Sequence, residues 1–219
     1  MSNLHKAHVA DAIGRKLNPD IKLRQDRQMT NAIMEKPAKV AKNGVDVPTL
    51  LGTINAVAET RELAKFQFRA DSLWQRGTHS SATVNGFFGA GGEHEREADF
   101  VIEADHPAVF CGGDNAANPM EYLLSALAAC ITAGIGNIAS VRQIELKSVN
   151  VKVEGNVDLS GLLGIDETVR NGFQNIRAMV KIEGDASAEA LARVVEQAVA
   201  RSAAFDMLTN GTDVAVEVA

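Results

Sequence analysis

The spacing of apolar positions changes period several times along this chain, and each change marks an element. The longest feature is the stretch Asn118 to Val141, NPMEYLLSALAACITAGIGNIASV, with no charged residue from Tyr122 onward. Asn118 can cap the free N–H groups, Pro119 suits the first helical position, and Glu121 stands where a capping box needs its carboxylate. Apolar or small side chains cover every face, which predicts a helix deep inside the protein. Its many Ala, Gly, Ser and Thr residues, Asn137, and the alternating segments that follow argue against a membrane span.

Upstream, residues 1–45 are polar and charged, with Leu4, Val9 and Ile13 supporting at most one short helix before Asn18-Pro19. Pro48 to Glu62 has a helical stripe of Leu50, Leu51, Ile54, Val57 and Ala58. The period then becomes two. Phe66 and Phe68 alternate with polar neighbours, Trp74 to Gly77 reads as a turn, and Ala82, Val84 and Phe87 read as the returning strand. The glycines from Gly89 to Gly92 mark another turn, and Phe100 to Ile102 begins a third strand that ends before His106-Pro107. After the apolar helix, Val149, Val151 and Val153 form one half-buried strand, and Ile176, Ala178, Val180 and Ile182 form another. Ser160 to Gly172 connects them with one short helix. Ser187 caps a helix with Leu191, Val194, Val195 and Ala198 inside, and Val214, Val216 and Val218 close the chain as a strand.

This order predicts an α+β fold: antiparallel sheet packed on helices. It divides the chain into an arm, 1–45, and one domain, 46–219. The strands of a single subunit cannot easily enclose a wholly apolar helix, so an intertwined homodimer, with sheets wrapped around two long central helices, is expected. A net charge of −6 opposes nucleic acid or an anionic membrane as partner. The opening residues carry no basic and apolar leader pattern, so a cytoplasmic location is expected. Two cysteines make no disulfide scaffold, and the five histidines make no recognisable metal site. No cofactor motif is present.

The candidate chemistry is therefore a thiol. Cys130 lies near the middle of the apolar helix, and Cys111 lies in the Cys111-Gly112-Gly113-Asp114 loop before it. A thiol reacts as thiolate, and apolar burial opposes ionisation. The dipole of its own helix fades within the first turn, far short of Cys130, so a neighbouring cation is expected to do the activating. Glu121 points away from Cys130, roughly 13.5 Å along the helix axis. It either serves a partner's site or is the capping carboxylate.

Gly112-Gly113-Asp114, Asn118-Pro119-Met120-Glu121-Tyr122-Leu123-Leu124 and Ala126-Leu127-Ala128-Ala129-Cys130 resemble the OsmC/Ohr family of thiol-dependent hydroperoxide reductases. The resemblance, over about residues 64–219, implies an intertwined homodimer whose helix cysteine attacks an organic hydroperoxide. It implies Cys130 as nucleophile and Arg76, in the first hairpin, as its activator. His79 is a candidate pocket residue beside Arg76. Ser202 stands where the family's second, resolving cysteine belongs, and can hydrogen-bond a thiolate but form no disulfide. That leaves Cys111 as a candidate resolving thiol, against a buried loop cysteine beside Phe110; otherwise an external thiol reductant is needed. The carboxylate the peroxidase branches place directly after the proline is also displaced, to Glu121. The reading from sequence is a peroxidase for small hydrophobic hydroperoxides. The alternative is a non-catalytic protein binding a small hydrophobic ligand at the dimer interface.

Overall fold

The computed structural model describes residues 41–218, so the expectations for the arm fall almost wholly outside the described residues. The described residues begin with a small hairpin, β1 (Ala41–Lys42) and β2 (Val45–Asp46), which runs directly into α1 (Val47–Glu59). Asp46 caps α1 by accepting the Thr49 N–H at 3.1 Å. Eight further strands follow: β3 (Gln67–Phe68), β4 (Asp71–Arg76), β5 (His79–Val84), β6 (Phe87–Gly89), β7 (Gly92–His94), β8 (Phe100–Ala104), β9 (Leu146–Asn156) and β10 (Asn175–Gly184). The remaining helices are α2 (Pro119–Val141), α3 (Leu159–Leu162), α4 (Ala188–Ala200) and α5 (Ala203–Asn210). Antiparallel pairing gives sheets ordered β3-β6-β7, β4-β5-β8 and β9-β10 beside the small hairpin. The architecture is α+β.

The core forms where one line of α2 meets β9, β10 and α4. Leu127, Ile131, Ile135 and Ala139 recur at one-turn intervals and are buried. Val194 and Ala198 of α4 close over them, with Val149, Val151, Val153, Ile176 and Val180 beneath. Gly134 lets the helices approach closely, since a Cβ there would stand 3.2 Å from the Cβ of Ala198. Burying each larger side chain contributes about 1.5–3 kcal/mol. Length and composition alone would let α2 cross a membrane; this packed face marks it as a core helix.

The helix is buried on one side only. Leu123 and Val141 on α2 remain exposed. Among the described residues the β4-β5-β8 sheet packs on little else, and Leu73, Trp74, Phe100 and Val101 each keep more than half their surface open. Residues 214–218, expected as a strand, form none, and Val214, Val216 and Val218 are exposed. Alternation makes a segment competent to pair, but its backbone groups need a neighbouring edge, and the described residues set none beside them.

Candidate active site

Local capping fixes the start of α2. Asn118 accepts the Met120 N–H at 2.9 Å, and Glu121 accepts the Asn118 N–H at 2.8 Å. Glu121 is thus the capping-box carboxylate, in the first turn, well short of Cys130. Tyr122 donates its hydroxyl to the Glu103 carbonyl, tying α2 to β8.

The loop before α2 is organised by Asp105, a buried carboxylate that sequence reasoning missed. It accepts the Thr78 hydroxyl at 2.6 Å, the N–H groups of His106, Gly113 and Asn115, and the Asn115 amide at 2.7 Å. The Thr78 hydroxyl above all, with the Asn115 and His106 donors, outweighs burial and holds the carboxyl far below the ordinary carboxylate range. This wrapping explains the paired glycines. A Cβ on Gly112 would lie 1.8 Å from the His106 carbonyl oxygen, and one on Gly113 would lie 2.4 Å from the Asn115 amide nitrogen.

Cys130 is half-buried on α2, and its surroundings differ from the expectation. Ser202, buried, caps α5 by accepting the Phe205 N–H at 3.2 Å. The amino end of α5 faces the thiol. Burial pushes the Cys130 thiol up, but the Ala204 N–H, the Ser202 hydroxyl and the Ala203 N–H together bring it below its ordinary value. No cation contributes. Within this single chain the lowering comes from a second helix, which presents its free N–H groups to the sulfur. Ser202 before apolar Phe205 and Leu208, with Gly211 after, was the signal for that helix.

The other candidates lie elsewhere. Arg76 ends β4, exposed at the hairpin turn and paired in register with His79. His79 Nε2 lies 2.6 Å from Glu103 Oε2, and Ser81 donates to the same carboxylate at 2.9 Å. The two bonds hold Glu103 below its ordinary value. Cys111 is exposed in a left-handed turn (φ 62°), which corrects the buried-cysteine alternative. Both cysteines are free thiols.

A cleft of about 510 Å³ opens along the same face of α2. It is walled by Met120, Leu123, Leu127, Phe173, Ile176 and Phe205, among others. At about 100° per residue, Leu123, Leu127 and Cys130 lie within roughly 60° of one another, with the Cα of Cys130 about 4.5 Å beyond that of Leu127 along the axis. Phe205 adjoins Ala204, whose N–H reaches the thiol. Cys130 does not itself line the cleft but follows Leu127 by one turn on the same side of α2.

Residues 112–217 match the family model described as OsmC-like protein. No curated protein matches. Among solved structures, the chain is similar to an OsmC-like protein from Mycoplasma pneumoniae, at 18% identity over 65% of this chain and 86% of that one, with TM-score 0.47. An organic hydroperoxide resistance protein OsmC from Legionella pneumophila matches at 20% identity over 67% of this chain and 92% of that one, with TM-score 0.46. The organic hydroperoxide resistance protein OhrB of Bacillus subtilis matches at 18% identity over 66% and 92%, with TM-score 0.40.

Proposed function

We propose that this chain, whose residues 112–217 match the OsmC-like family model, is a thiol-dependent peroxidase of the OsmC/Ohr kind acting on organic hydroperoxides, with Cys130 as nucleophile. The observation that carries this reading is the placement of Cys130 beside the amino end of α5, where the Ala204 and Ala203 N–H groups and the Ser202 hydroxyl favour the thiolate. The thiolate attacks the terminal peroxide oxygen; an S–O bond forms, the O–O bond breaks, and the alkoxide leaves as alcohol after taking a proton. Cys130 becomes a sulfenic acid. The cleft from Met120 to Leu127 suits an apolar substrate tail. With Ser202 in place of a second thiol, and Cys111 on an exposed turn, an external thiol closes the cycle. The proposed setting is the cytoplasm.

A homodimer completes the site in this reading. The half-exposed α2, the open β4-β5-β8 sheet and the unpaired valines at 214–218 together suit coverage by a second copy. Arg76, on the exposed strand β4 of the β4-β5 hairpin, is the proposed charge that stabilises the departing alkoxide. The experiment is mass spectrometry after one equivalent of cumene hydroperoxide in the presence of dimedone. A dimedone adduct on Cys130, with turnover lost in Cys130→Ser, is expected; unchanged peroxide consumption by that variant overturns the proposal.

The absence of a thiol at Ser202 favours one other reading, a protein that binds a hydrophobic ligand in the same cleft without turnover. It predicts ligand-dependent stabilisation and no peroxide loss with dithiol present.

A further inference from the structure

Two cavities meet beside the amino-terminal half of α2. The apolar cleft along Leu127, Leu123 and Met120 includes Phe173 in its wall. A second cavity, of about 450 Å³, lies toward the start of the helix, with Pro107, Phe110, Leu124 and Val157 as its apolar lining. Met120 and Phe173 line both, and no other residue does. These two side chains are therefore the partition between the cavities. Each space alone has the size of a small-ligand site.

The partition is held from both sides. A Cβ on Gly155 would come within 2.6 Å of the Phe173 ring, so the ring packs directly on the backbone of β9. A glycine inside a strand marks such a close approach. The next residue, Gln174, donates its N–H to the Asn156 carbonyl at 2.8 Å and fixes the chain that carries the ring. Met120 is placed by its own N–H, which donates to Asn118 in the α2 cap.

From Leu127 to Met120 is seven residues of α2, about 10.5 Å along the axis. A chain with one end beside Leu127 has only that run before it meets the pair. Resting on the reading of this cleft as the seat of a substrate's apolar tail, we infer that Met120 and Phe173 set the length of chain the protein accepts. Unbranched alkyl chains that end short of the pair are fully covered. Longer ones turn out into solvent, because the second cavity is closed to them. That cavity also carries Asp114, Glu121 and Glu154 and no basic side chain, so uncharged probes read the length rule without a charge effect.

The test is calorimetric titration of the full chain with straight-chain primary alcohols from hexanol to dodecanol, the products that alkyl hydroperoxides of those lengths would leave. Affinity should tighten about fourfold per added methylene while the chain lies in the cleft, and the rise should stop before dodecanol. In Phe173→Ala, and separately in Met120→Ala, the rise should continue past the wild-type stop. Adding Leu124→Trp, which fills the second cavity, should restore the stop. A wild-type rise unbroken to dodecanol, no binding of any alcohol, or a stop that both single variants leave in place overturns the inference. If the stop appears while peroxide and dimedone leave Cys130 unmodified, the length rule stands and the peroxidase reading fails. A dimedone adduct together with an unbroken rise does the reverse.

Discussion

Ser202 caps α5 by accepting the Phe205 N–H at 3.2 Å and is also one of the groups that hold the Cys130 thiol below its ordinary value. One side chain therefore both caps α5 and favours the thiolate. Replacing it separates the two effects.

Ser202→Ala should cost about 1 kcal/mol of stability through the lost cap, read by urea denaturation. It should also raise the pH at which Cys130 reacts with iodoacetamide, since a donor to the thiolate is gone. Ser202→Thr keeps the hydroxyl and should restore both. A cap without a catalytic consequence would show the first change and not the second.

Glu121→Ala removes a capping-box carboxylate and nothing near the thiol of its own chain. A loss of about 0.5–1 kcal/mol is expected, with the Cys130 alkylation rate unchanged. A slower thiol would instead place Glu121 at a partner's site.

Asp105 makes stability pH-dependent in a definite direction. Its folded-state pKa lies below the unfolded value of about 3.9. Its contribution is therefore complete above that value and is lost as pH falls through the folded pKa. Thermal melts of the wild type should fall steeply in acid, and Asp105→Asn should show lower stability at neutral pH with a flatter acid limb. Parallel melting curves for both proteins would contradict the role given to this carboxylate.

Ile135→Ala opens a cavity between α2 and its surroundings, where Ile135 is 0% exposed. The expected loss is about 2–5 kcal/mol by chemical denaturation. Leu123→Ala, on the open side of α2, should cost much less in the monomer and should weaken any dimer seen by light scattering.

What the sequence made legible was local. The Asn118-Pro119-Met120-Glu121 start of α2, the Ser187 cap of α4 and the alternation of β9 and β10 all follow from neighbours in the chain. What it concealed was contact between distant segments. Cys130 and Ser202 lie in separate elements, so the thiol's activation looked like a problem for a cation rather than for the end of α5. Asp105 looked like one more loop acid because its donors, Thr78 and Asn115, come from either side of β8. The final valines carried a true strand pattern without the edge that a strand needs.

The most direct measurement is the thiolate absorbance of Cys130 titrated against pH in the Cys111→Ser protein. A midpoint below the ordinary cysteine value of about 8.5, moving upward in Ser202→Ala, is what a thiolate held by α5 requires. A midpoint at or above that value, indifferent to Ser202, would contradict it.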